Sequence, residues 1–187
     1  DEVILDSTTT ISSITASIDG GAGAADRITF GDMANAFTAS ADNVFEGKIS
    51  GFEELELAGG TVGAGGTDII DLGNLDDISK VIVSANATGA FSIDNMANNG
   101  TLRIEASQTS NIGMIVKNAF VPTTDVMNIE LSNAIAISGT VTVANVETIN
   151  VKTEDTDTET AQNVQALSLT ATSATSVVVT GNAGANL

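Results

Sequence analysis

The sequence predicts an all-β chain wound as a β-solenoid, a parallel β-helix-like stack of irregular coils of about 20–25 residues each. Three observations predict it. Thr, Val, Ile and Ser dominate the composition, which favours strands over helices. From residue 49 onward one pattern recurs, apolar-x-x-Leu/Ile-x-Leu/Val, at steps long enough for a full coil. Asn-Gly, the strongest hairpin dipeptide, occurs once, at Asn99-Gly100, so tight antiparallel connections are scarce. The alternative is an antiparallel β-sandwich, whose strands also recur regularly.

Residues 1–48 read as an N-terminal segment of strands and turns. Val3-Ile4-Leu5 begins the first strand, and Ile11, Ile14 and Ile18 follow in a Ser/Thr-rich stretch. A glycine turn then leads into Arg27-Ile28-Thr29-Phe30. Residues 32–46 are the best place for a short helix. Asp32 can cap it, and Met33, Ala36 and Phe37 share a face.

Residues 49–187 read as the repeating coils. Leu57, Val83, Ile104, Leu131, Val151 and Leu169 are taken as equivalent, giving steps of 26, 21, 27, 20 and 18 residues. Shorter strands are expected between them, at Phe91–Ile93, Met114–Val116, Ile135–Ile137 with Val141–Val143, and Val177–Val179. The expected apolar stack comprises Leu55, Leu57, Val81, Val83, Leu102, Ile104, Ile129, Leu131, Ile149, Val151, Leu167 and Leu169. The intervening Glu, Arg, Asn, Ser and Thr residues suit an outward face.

Composition narrows the function. Asp and Glu number 24 against 6 Lys and Arg, a net charge of −18 over 187 residues. Nucleic acid and anionic membrane are therefore not expected as partners. A mean hydropathy of +0.23 with 42% hydrophobic residues argues for a folded chain. Its core must be aliphatic, since the chain has six Phe and no Trp or Tyr. No apolar run reaches membrane-spanning length, so no membrane insertion is expected. Cys and His are both absent, which removes disulfides, the usual zinc and haem ligands, and the usual nucleophile–base pairs. The residues therefore point away from an enzyme, with a polysaccharide-acting β-helix as the distant third reading. The final Gly-Asn-Ala-Gly-Ala-Asn-Leu resembles the start of another turn, and the chain is expected to be a piece of a longer protein.

Calcium is the expected counter-charge. Ile18–Asp32 reads almost as the nonapeptide G-G-x-G-x-D-x-U-x, in which U is a large apolar residue. Gly20, Gly21 and Gly23 take the glycine places, Asp26 the aspartate and Ile28 the apolar anchor, while Asp19 and Asp32 flank the turn. One extra alanine separates Gly23 from Asp26. Calcium takes six to eight oxygens at about 2.3–2.6 Å, and backbone carbonyls serve as well as carboxylates. A second glycine-rich run, Gly59–Gly73, offers Gly65, Gly66 and Asp68, with Asp71, Asp76 and Asp77 beyond. In the acidic run Glu154–Glu159, alternating Asp155, Asp157 and Glu159 can point oxygens at one cation. For each of the three the plain reading, a solvated turn, stands beside the metal reading.

Phe52-Glu-Glu-Leu-Glu-Leu, Val146-Glu-Thr-Ile-Asn-Val and Val164-Gln-Ala-Leu-Ser-Leu resemble the V-E-T-L-x-L coils of bacterial surface-layer proteins. Those meant are the RTX kind exported by the type I route, of the Caulobacter and Campylobacter sort. The resemblance covers residues 18–30 and 49–187 and lies in short motifs. It implies an extracellular, cell-surface structural protein that binds Ca2+ and assembles with identical copies into a lattice. A cell-surface polysaccharide is a further candidate partner. Large RTX adhesins share this composition, so a ligand-binding or spacer domain of an adhesin is the alternative.

Overall fold

A computed structural model describes residues 1–6, 9–62, 68–76, 78–120, 124–132, 135–156 and 164–187. Sixteen strands and one α-helix follow one another as β1 (Glu2–Leu5), β2 (Ile18–Asp19), β3 (Arg27–Phe30), α1 (Met33–Ser40), β4 (Ile49–Ser50), β5 (Glu54–Leu57), β6 (Asp68–Asp71), β7 (Lys80–Val83), β8 (Phe91–Met96), β9 (Thr101–Ile104), β10 (Ile112–Val116), β11 (Val126–Ser132), β12 (Ala136–Ala144), β13 (Thr148–Glu154), β14 (Val164–Thr170), β15 (Ser176–Gly181) and β16 (Gly184–Asn186). The odd-numbered strands form one parallel sheet in the order β1-β3-β5-β7-β9-β11-β13-β15. The even-numbered strands from β6 to β16 form a second, and β2 pairs with β4. From β5 onward each odd strand and the even strand after it make one turn of a β-solenoid of about six turns. All pairings described are parallel, as coils require.

Register lines up identical positions from turn to turn. Leu57, Val83, Ile104 and Leu131 are direct partners, as the repeat predicted. The two later equivalences differ. Leu131 pairs with Thr153, and Thr153 with Gly181, so the last steps are 22 and 28 residues. Val151 belongs one pleat earlier, beside Ile129. Leu169 lies in the second sheet, against Val141. Val177–Val179, expected as a secondary strand, is the main-sheet strand of the last turn.

The core is the thin aliphatic slab between the sheets. Every residue of the expected apolar stack is buried except Leu169, which packs partly buried against it. The helix is shorter than the 32–46 window. Asp32 caps it through Ala34 N–H at 3.1 Å, Met33 and Ala36 are buried, and Phe37 is half-buried and tilts against Phe91. It covers the free edge of β6, where Asn74 Nδ2 donates to the Ser40 carbonyl at 2.9 Å.

Candidate functional site

The glycine turn between β2 and β3 is built by stacking. Asp19 Oδ1 accepts from Gly21 N–H at 3.0 Å and from Ser50 Oγ at 3.2 Å in the next turn of the chain. Gly20 N–H donates to the Ser50 carbonyl at 2.8 Å. A Cβ on Gly20 would lie 2.3 Å from the Gly51 carbonyl oxygen. Glycine is therefore required here because two backbones touch. Gly21 and Gly51 both adopt positive φ, +95° and +71°, a region that side chains disfavour.

Asp26 closes this turn and is 4% exposed. Its Oδ1 meets the Asp1 α-ammonium. Its Oδ2 is buried and has no hydrogen-bond partner among the described residues. That oxygen faces Gly23 so closely that a Cβ there would stand 2.4 Å from it. The Asp26 N–H is held by Glu53 Oε2 at 3.0 Å, and its carbonyl accepts from the Glu53 and Glu54 amides. The same device recurs higher in the stack, where Glu147 Oε2 accepts from Asp125 N–H at 2.9 Å. Glu53 and Glu147 are the glutamates of the two sequence repeats Phe52-Glu-Glu and Val146-Glu-Thr. Sequence reading singled out the aspartate and missed these partners. The signal was the spacing of 27 and 22 residues from aspartate to glutamate, one coil in each case.

The other predicted aspartates are distributed along the stack. Asp71 Oδ1 accepts from Gly73 N–H at 2.9 Å and Asn95 Nδ2 at 2.6 Å. Asp71 is also in register with Asp94, which places two carboxylates side by side on neighbouring strands. Asp76 Oδ2 accepts from Phe52 N–H at 2.9 Å. Asp68 opens β6, in register with Phe91. Asp155 takes part in a backbone ladder with Asn182, whose Oδ1 and Nδ2 bond the Asp155 N–H and carbonyl at 2.9 Å each. Gly65, Gly66, Asp77, Asp157 and Glu159 lie outside the described residues. Among the described residues no three acidic groups converge as a ready-made metal cluster.

Glutamates and cations share the outer face of the main sheet instead. Glu54 stands between Arg27 and Lys80, at 2.8 and 2.9 Å. Arg27 also reaches Glu56 at 2.9 Å. Burial alone would raise the Glu54 pKa, but hydrogen bonds from Lys80 and Arg27 outweigh it and hold the carboxyl below the usual range. Farther along, Arg103 gathers Glu105, Glu130 and Glu154 at 2.6, 3.1 and 2.7 Å. Burial acts to lower the guanidinium pKa, and the three glutamates more than reverse that. The Lys152 ammonium, then Arg103, hold Glu154 below its ordinary value. Four of the six Lys and Arg residues are thus spent on one sheet face.

Among the described residues no helix is long and apolar enough to cross a membrane. No protein-family model matches the chain, and no curated protein shows significant similarity to it.

Proposed function

We propose that the chain is a non-enzymatic, calcium-binding structural domain of an extracellular bacterial surface-layer protein, and that it assembles with identical copies. The observation that carries this reading is Asp26. A carboxylate oxygen is buried inside a glycine turn with no hydrogen-bond partner among the described residues, and a buried polar atom of this kind calls for strain, a water or an ion to account for it. Calcium fits this donor set, a carboxylate beside closely packed backbone, because it accepts both oxygen types with flexible geometry. The paired Asp71 and Asp94 make a second place where a cation relieves repulsion between like charges. A net charge of −18 on an 18.8 kDa body supports the same conclusion. The β-solenoid is compatible with this role, since coils stack into long, flat-sided bodies that present repeating surfaces. Electron microscopy of the purified chain tests it. The proposal expects ordered sheets or arrays in millimolar calcium and their dispersal by EGTA. Dispersed monomers that instead bind a glycan or receptor would favour the adhesin reading.

A further inference from the structure

We infer that a cleft at one corner of the solenoid, beside the end of β8, binds a neutral sugar unit of a glycan. The inference goes beyond the structural reading above and depends neither on calcium at Asp26 nor on assembly.

The cleft has a volume of about 300 Å3 and is lined by Leu72, Gly73, Ile78, Asn95, Ala97 and Lys117. Described elements continue the stack on both sides of it, α1 before β6 and β12 after β10. A β-bulge shapes it. Ile93 pairs with Met114 and Met96 with Val116, so Asp94 and Asn95 together face the single residue Ile115. Bulges of this kind re-aim a side chain. Asn95 takes positive φ, +60°, which asparagine tolerates better than most residues. The Lys117 N–H donates to the Met96 carbonyl at 2.8 Å, which sets the lysine beside the bulge.

The cleft offers polar atoms of both kinds. Asn95 Nδ2 donates to Asp71 Oδ1 at 2.6 Å. A carboxylate only accepts, so this bond fixes which way the amide is turned and leaves Asn95 Oδ1 as an acceptor. A Cβ at Gly73 would stand 3.3 Å from Asn95 Nδ2, so glycine keeps a side chain off the amide. Lys117 supplies the donors. Arg27, Lys80, Arg103 and Lys152 are committed to glutamates, whereas Lys117 forms no ion pair among the described residues. The buried Leu72 and Ile78 provide an apolar floor.

A sugar ring matches this set. Each hydroxyl both donates and accepts, so one ring can use the Lys117 ammonium and the Asn95 oxygen together. Its C–H face suits the aliphatic floor. The volume stands at the small end of ligand clefts, which run from about 300 to 1,000 Å3, and so admits a single ring. Charge argues for a neutral ligand. Asp71 holds Asn95 and lies in register with Asp94, and the whole chain carries −18, so a polyanion is repelled.

Titration of the isotope-labelled chain with glucose, galactose and mannose, followed by amide NMR shifts, tests this. The amides of Gly73, Asn95, Ala97 and Lys117 should shift together for at least one of the three. The Kd should be of order millimolar, the affinity that about twelve heavy atoms give at ordinary efficiency. Raising salt should leave it unchanged, because the ligand is neutral. The matching disaccharide should bind no more weakly than the single sugar, since the unit is recognised within a glycan. Lys117→Met keeps the aliphatic stem and loses the ammonium, and Asn95→Gly keeps the positive φ and loses the amide. With folds checked by circular dichroism, each should weaken binding at least about tenfold. Lys48→Met, at a lysine outside the cleft, should bind as the parent does. No shift with any of the three sugars, tighter binding of glucuronate than of glucose, rejection of the disaccharide, or full binding by both cleft variants would overturn the inference. None of those results would touch the calcium or assembly tests.

Discussion

Arg103 Nη1 donates to Glu154 Oε2 at 2.7 Å, although 51 residues separate the two in the chain. Strand β11 lies between their strands, and its Glu130 takes the same nitrogen at 3.1 Å. One guanidinium thus ties three turns together. Arg103→Ala should cost about 1–3 kcal/mol in denaturant unfolding at pH 7, since hydrogen bonds to charged groups are worth about that much. Arg103→Lys should recover only part, because a point charge cannot reproduce the fork.

The same cluster sets a pH dependence. Glu154, held by Lys152 and then by Arg103, titrates lower in the folded chain than in the unfolded one. Its stabilisation is fully present above the ordinary glutamate pKa of about 4.3 and is lost as pH falls through the lower folded value. The gap in unfolding free energy between parent and Arg103→Ala should therefore narrow from pH 7 to pH 3. Taking the gap between the two proteins removes the general effect of protonating other carboxylates. An unchanged gap would mean that the arginine acts through packing alone.

Core and face should differ sharply within one strand. Leu131 is fully buried and aligned with Ile104, so Leu131→Ala should lose about 2–5 kcal/mol. Asn128, three residues earlier and facing out, accepts from Asn150 Nδ2 at 2.9 Å and donates to the Asn99 carbonyl at 2.8 Å. Asn128→Ala should cost only about 1 kcal/mol. Urea unfolding of the two variants gives the comparison directly.

The glycines divide in the same manner. At Gly20 a Cβ would collide with the Gly51 carbonyl, whereas at Gly47 nothing lies within 4 Å. Gly47→Ala should be neutral or stabilise by up to about 1 kcal/mol through the unfolded chain. Gly20→Ala should lower the thermal midpoint. Equal effects at the two positions would contradict the stacking role assigned to Gly20.

Much of this architecture was legible in the residues. Alternation marked the strands, and the apolar-x-x-Leu/Ile-x-Leu/Val echo aligned Leu57, Val83, Ile104 and Leu131 correctly. A period of two, however, says which way a side chain faces and not which sheet its strand joins. That is why Val164–Leu169 read as a main-sheet strand and Val177–Val179 as a minor one. The polar Thr153 and Gly181 hid the register further, because they occupy inward positions that an apolar pattern skips. At the glycine turn, Gly20 and Asp26 stood out by composition. Glu53 did not, because its partner is a backbone amide one coil away and no local motif announces it.

Calcium linkage is the most direct test of the function proposed here. Extracellular calcium modules bind at about 10⁻⁴–10⁻³ M, and a ligand at 100 times its Kd stabilises a fold by about 2.7 kcal/mol per site. Thermal melts in calcium, magnesium and EGTA, run on the parent and on Asp26→Asn, give the measurement. The midpoint should be highest in calcium, and Asp26→Asn should remove part of that gain; its EGTA midpoint should fall separately, since Asn gives up the charge pair with the Asp1 α-ammonium. Coincident calcium and EGTA midpoints in the parent would contradict the account.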